Sequence, residues 1–187
     1  MNYATFWQRF AAMWIDVIVI LPFVFFLTWL HSVFNAAALL VPMATASCVY
    51  SIYCHGRFGQ TVGKHVMGIR VVRMDGERIG WREALLRSSV DVAFTTVDLI
   101  ASYVIFAALT DAELNSAAGS GWMQRRSIIK SHMPIWCTWT SAVGQAWYLS
   151  EVIVMLFNKK RRAFHDFIAG TVVKTEKKTT VTLTQSD

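Results

Sequence analysis

The sequence predicts an all-α membrane protein with four transmembrane helices and both termini cytoplasmic (N-in/C-in). A short cytoplasmic β-hairpin is expected between helices 2 and 3. Three observations predict this. Hydrophobic residues make up 55% of the chain and are gathered into long runs instead of being spread as in a soluble core. Lysine and arginine concentrate in alternate connections between those runs. Between the second and third runs, two β-like stretches flank Asp75-Gly76, a dipeptide that favours a tight turn.

The first run, about 10–30, offers 21 residues with a single charge, Asp16, where a spanning helix needs ~20 mostly apolar residues. It is longer than the apolar region of a leader peptide, and no small-x-small cleavage site follows it. It therefore reads as a span and not as a cleaved signal. The second run, about 35–54, contains Pro42, which a membrane helix accommodates when neighbours satisfy the freed carbonyl. "GWREALLRSSVDV" then has helical spacing and predicts an interfacial start to the third span, about 90–109, which carries Asp91 and Asp98. The fourth run is about 134–157. Trp7, Trp29, Trp81, Trp122 and Trp136 fall near the ends of runs, as interfacial aromatics do. One membrane domain thus covers 1–178, and the polar residues 179–187 form a weakly ordered tail. No internal repeat supports a duplicated transporter.

The net charge of +6 points to topology and not to nucleic acid. One basic residue precedes the first run, seven lie in 55–88, three in 110–133 and seven after Phe157. Placing both termini and the 55–88 loop in the cytoplasm puts 15 of the 18 basic residues there, as the positive-inside rule requires. The expected partner of these basic residues is a bilayer with anionic headgroups. Cys48, Cys54 and Cys137 lie in the runs without C-x-x-C spacing and read as small buried hydrophobes. No metal site or cofactor is expected, and no nucleophile–base arrangement points to an enzyme.

The polar residues inside the runs carry the candidate chemistry. Arg9 and Asp16 are seven apart, hence within ~20° on one helix face and ~10 Å apart along the axis. They share a stripe but need partners on other helices. In the third run Arg87 and Asp91 are four apart and Asp98 is seven further on, with Thr95 and Ser102 on that side. Such a stripe should face the bundle interior or a wet cavity, although Arg87–Asp91 also reads as an ordinary helix ion pair. Asp16 and Asp98, if they meet, could share a proton or a cation, because crowded carboxylates raise one another's pKa. Near the C-terminus Arg162 and Asp166 are four apart. His165, beside Asp166, is a candidate proton relay or simply a solvated side chain. "GQTVGK" looks like a phosphate loop but is not one. Three residues separate its glycines, His65 replaces the magnesium-binding hydroxyl, and the following run reads as a strand. Its glycines are expected to shape the turn after the second span.

Four blocks, "FWQRFAAMWID", "GQTVGKHVMGIRVVRMDG", "REALLRSSVD" and "RRAFHDFIAGTVV", occur in order across most of the chain. Together they resemble the RDD family of small integral membrane proteins, named for an arginine and two aspartates. By motif position these are Arg9, Asp16 and Asp166. The resemblance implies a multi-pass protein of a bacterial inner membrane with a transport-related role, since some members are described as monovalent cation/proton antiporters. It also implies a structural charge lock in which Arg9 meets Asp166, and Arg87 is expected to serve with them in holding the gate or the fold. The external insert "AELNSAAGSGWMQRR" matches no pattern of the family.

Two readings of function follow. In the first, monovalent cations exchange for protons, with Asp16, Asp98 and Asp91 along the path. Four spans are few for alternating access, so this reading requires a homo-oligomer. In the second, the protein is a non-transporting membrane module for assembly, lipid binding or a partner subunit. Its basic cytoplasmic face does the work, and the intramembrane charges hold helices together.

Overall fold

The computed structural model describes residues 3–34, 36–110, 112–113, 116 and 121–176. The predicted tail 179–187 and much of the external insert lie outside the described residues. Four long helices dominate: α1 (Phe6–Phe34), α2 (Leu40–Phe58), α4 (Trp81–Ala108) and α6 (Ile135–Phe157). Shorter elements join them: α3 (Val62–Val66), β1 (Ile69–Arg73), α5 (Trp122–Ser131), α7 (Phe164–Ile168) and β2 (Thr171–Thr175).

The first run lies inside α1, which extends past it at both ends; the other three overlap α2, α4 and α6, with α2 beginning only at Leu40 and reaching Phe58 and α4 beginning already at Trp81. At 29 and 28 residues, α1 and α4 are ~43 Å and ~42 Å long, more than the ~30 Å hydrocarbon core. The expected interfacial segment before the third span is simply the start of α4. Pro42 falls in the first turn of α2, where its missing N–H breaks no helical bond. Among the described residues, three segments are long and apolar enough to cross a bilayer: Phe6–Phe34, Ala37–Phe58 and Trp81–Ala108. Helix α6 has 23 residues, enough length at ~35 Å, but Gln145 and Glu151 lower its hydropathy. The bundle leaves large apolar side chains bare, Phe25 at 66% and Phe157 at 87% exposure. In water that would be an aggregating surface; in lipid it is the expected exterior.

At one end of the bundle sits a small collar of β-structure, and here the expected hairpin needs correction. The Asp75-Gly76 turn forms: Gly76 N–H donates to the Arg73 carbonyl at 3.0 Å and Arg73 N–H to that of Glu77 at 2.9 Å. Beyond it only Arg78 bridges back, to Val72. The strand partner of β1 is β2, about a hundred residues later, antiparallel with Val71 opposite Val173 and Ile69 opposite Thr175. The reason is composition. The arm after the turn reaches Gly80 and helix α4 almost at once, whereas "TVV" of β2 offers three side chains that all become buried. Residues near the N-terminus extend the collar, with Tyr3 bridging Lys174 and Ala4 N–H bonded to the Val173 carbonyl at 3.0 Å. Ala4, Ala12, Ile69, Val71, Ile79 and Val173 form the packed core, so the collar is seated on the first turns of α1. Glu83, near the start of α4, accepts from Gly80 N–H at 2.8 Å and lies 3.1 Å from Arg73 Nε, tying α4 to β1.

Candidate functional site

Among the described residues the buried charges, Glu83, Arg87 and Asp166, lie where the helix ends meet the collar. Asp166 is the centre of one cluster. It occupies the first turn of α7, and its Oδ2 accepts from Ala163 N–H at 3.0 Å, the usual task of an acid at a helix start. That turn also aims the carboxylate at two helices. Arg9 of α1 donates from Nη1 to Oδ2 at 2.7 Å, and Arg87 of α4 donates from Nη1 to Oδ1. Thr171, the first residue of β2, accepts from Arg87 at 2.7 Å and donates to Asp166 Oδ1 at 3.4 Å. The Asp166 side chain is wholly buried, with Arg87 at 4% and Arg9 at 10% exposure. Burial alone would raise the Asp166 pKa. Arg87, His165 and Arg9 outweigh it and hold the carboxyl well below the usual carboxylate range. Arg162 does not pair with the Asp166 carboxylate as their spacing suggested. It donates to the backbone carbonyls of Asp166 and Thr171, and its guanidinium lies 4.0 Å over the Phe167 ring.

Asp16 centres a second cluster, two turns deeper in α1. Its Oδ1 accepts from the Tyr50 hydroxyl and from Gly63 N–H, both at 2.7 Å, and its Oδ2 from Thr61 Oγ1 at 2.6 Å. Tyr50 in turn accepts from Val62 N–H at 3.0 Å. Thr61 is the cap of α3, so Asp16 fills the anion-favouring start of that short helix. The "GQTVGK" segment thus does hold an anion, through the Gly63 N–H and the Thr61 hydroxyl, but the anion is the protein's own carboxylate. A one-turn helix, α3, begins within the segment at Val62 and runs to Val66 where a strand was expected, and the strand begins at Ile69. Gly59 ends α2 with φ of 73°, the turn expected of it. Gly63 is needed for contact: a Cβ there would lie 2.0 Å from the Ala12 carbonyl oxygen and 2.9 Å from Asp16 Cγ.

Asp98 and Asp91 are not part of either cluster. Helix α4 packs chiefly on α2, and its contact with α1 includes His31 beside Phe106, ring centroids 6.0 Å apart. Asp98 is exposed on α4 and Asp91 half-buried. Among the described residues neither carboxylate takes a hydrogen bond or an ion pair. The structure does not bring Asp16 and Asp98 together, and Arg87 turns to Asp166 and not to Asp91. On the same stripe, Thr95 Oγ1 lies 3.1 Å from Cys48 Sγ of α2.

Between α1 and α6, above the collar, lies a cavity of about 530 Å³. Its walls are apolar, with Met13, Val17, Leu21, Val24 and Val152 among them, and its floor carries Arg9, Asp16, Lys64, Arg87, Glu151 and His165. His165 Nδ1 lies 2.6 Å from Glu151 Oε2, and its backbone N–H donates to Oε1 at 3.0 Å. His55 donates from Nδ1 to the Ser51 carbonyl at 2.8 Å, which leaves Nε2 to accept from Lys64 Nζ at 2.7 Å. Burial, and then the charge of Arg87, push the Lys64 ammonium down to about 7. The sequence reading missed Tyr50, His55, Thr61, Lys64 and Glu151. Glu151 carried a usable signal, a lone acid inside a predicted span. The others are neutral hydroxyls or members of a polar loop, and nothing in their local sequence marks them. Among the described residues no three His, Cys, Asp or Glu side chains gather as a metal site would need.

An apolar helical bundle with bare lateral faces, closed at one end by a two-stranded collar and a buried Arg–Asp–Arg lock, defines an integral membrane protein. The family model of the RDD family matches residues 3–170. The chain belongs to the RDD family. No curated protein matches it.

Proposed function

We propose that the protein is a four-span membrane module that does not itself transport ions. Both termini and the collar lie on the cytoplasmic side, in a bacterial inner membrane. Helix α6 supplies the fourth span, and the basic residues of 55–88 and of the tail set the orientation by the positive-inside rule. The observation that carries the reading is the state of two carboxylates, half-buried Asp16 and fully buried Asp166. Asp16 accepts three hydrogen bonds and Asp166 is shared by two guanidiniums. A carboxylate on an ion path must exchange its partners, whereas these hold the collar to α1 and α4. Arg57, Arg78 and Arg82 stay exposed on the collar side, available to anionic headgroups or to a partner.

One observation favours the antiport reading. The His165–Glu151 and Lys64–His55 pairs face a common cavity, and such groups can pass protons. That reading still requires a homo-oligomer, because one copy has few helices for alternating access. Proteoliposomes with a pH-sensitive dye separate the two, with sodium, lithium and potassium gradients tested on wild type and on Asp16→Asn. The module reading expects no cation-driven proton movement from either. A wild-type signal that disappears in folded Asp16→Asn would overturn it.

A further inference from the structure

The cavity between α1 and α6 has three properties that no other part of the described structure combines. First, it is open sideways. The two helices make no extended contact with each other, and its wall residues Met13, Val17 and Leu21 are exposed by 41–49%, so it faces the bilayer interior directly. Second, it runs deep. From Arg9 to Val24 along α1 is ~22 Å, more than half of the ~30 Å hydrocarbon thickness. Its volume of about 530 Å³ is in the range of pockets that enclose a small ligand. Third, among the described residues its floor leaves more donor groups than acceptors without a partner, the one such acceptor being Glu151 Oε2, which lies 2.6 Å from His165 Nδ1. Arg9 spends only Nη1 on Asp166, and its Nε and Nη2 are buried with no acceptor, a costly state for a guanidinium. Lys64 gives one hydrogen bond, to His55, and has two further N–H groups. The Asp16 oxygens already accept from Tyr50, Thr61 and Gly63.

We infer that this cavity is a binding site for an anionic phospholipid drawn from the surrounding bilayer. Its phosphate lies at the Arg9–Lys64 floor, and one acyl chain lies along Met13, Val17, Leu21 and Val24. The surplus donors select an oxyanion, and charge-assisted hydrogen bonds to it supply the specificity. The lateral opening selects a source within the membrane over a free anion from water. An oxyanion beside Lys64 also favours the protonated ammonium, which burial alone disfavours. The site deepens the module reading by naming what the module holds.

Native mass spectrometry of the full chain released from detergent tests it. The protein is offered phosphatidylglycerol, phosphatidylcholine with the same chains, palmitate or inorganic phosphate. Phosphatidylglycerol should be retained about tenfold better than phosphatidylcholine, the effect of one or two charge-assisted bonds. Leu21→Trp, which fills the wall away from the lock, should abolish retention, and Lys64→Gln should remove the preference between headgroups. Asp98→Asn, outside the cavity, should change neither. Equal retention of the two phospholipids, retention unaffected by Leu21→Trp, or tighter binding of palmitate or phosphate alone would each overturn the assignment. The proteoliposome flux assay reports the module reading independently: lipid selectivity can fail while flux stays absent, and flux can appear while selectivity holds.

Discussion

Asp166→Asn is the most informative single substitution, because it keeps the size of the side chain and removes only its charge. In the wild type the carboxylate serves Arg9, Arg87, Thr171 and the Ala163 N–H from a wholly buried position. The amide retains one acceptor oxygen and turns an NH₂ donor toward a guanidinium. Two arginines are then left charged, buried and short of an acceptor. Removing one partner of a buried ion pair costs about 3–5 kcal/mol, and for a chain of this size each kcal/mol moves the midpoint by ~2–4 °C. The expected drop is on the order of 10 °C, read by size-exclusion fluorescence after heating detergent-solubilised protein. Arg87→Gln should cost a similar amount, and the double variant clearly less than the sum, since both remove one interaction. A midpoint for Asp166→Asn within about 2 °C of wild type would refute the idea that this lock holds the collar to the bundle.

Gly63→Ala should destabilise by about 1–3 kcal/mol or prevent folding, because its Cβ would lie 2.0 Å from the Ala12 carbonyl oxygen. Thermal midpoints of the purified variant check it, and an unchanged midpoint would mean α1 and α3 are not in contact. Acid should loosen the lock in a defined window. The Asp166 pKa is lower folded than its ~3.9 unfolded value, so its contribution is complete above about pH 4 and falls away as pH drops toward the native value. The wild-type midpoint should therefore decline below about pH 4 more steeply than that of Asp166→Asn. Lys64 acts in the opposite range. With a folded pKa of about 7 against ~10.4 unfolded, the native state binds fewer protons between them. Stability should rise with pH across that interval, and Lys64→Met should flatten the rise in a melting series from pH 7 to 10. Finally, cysteines placed at Asp75 and at Lys130 should label from opposite sides of the membrane in intact cells. Labelling from the same side would contradict the proposed topology.

The spans were legible in the sequence because hydropathy is a local sum. Runs such as 10–30 declare their length and solvent without reference to any other residue, and helix α1 extends past that run at both ends, to Phe6 and to Phe34. The Asp75-Gly76 turn was legible for the same reason, since it rests on backbone preferences of neighbouring residues, whereas the strand expected right after "GQTVGK" is helix α3. Strand pairing was not local. Nothing in "IRVVR" says that it pairs with "TVVKT" a hundred residues away and not with the arm four residues on. That choice depends on which partner buries more apolar surface against Ala4, Ala12 and Ile79.

By itself the sequence determined that this chain enters a membrane, which charges lie within its helices, and that Arg9 and Asp16 share one face. Only the tertiary structure decided what those charges touch. Asp16 found a tyrosine, a threonine and a glycine amide, none of which carries a charge that spacing could reveal. Asp98, its expected companion, lies exposed on a helix that packs chiefly on α2. A buried polar group takes whichever donor the packed backbone delivers within about 3 Å. That delivery is fixed by helix packing, and so it cannot be read from the residues beside it.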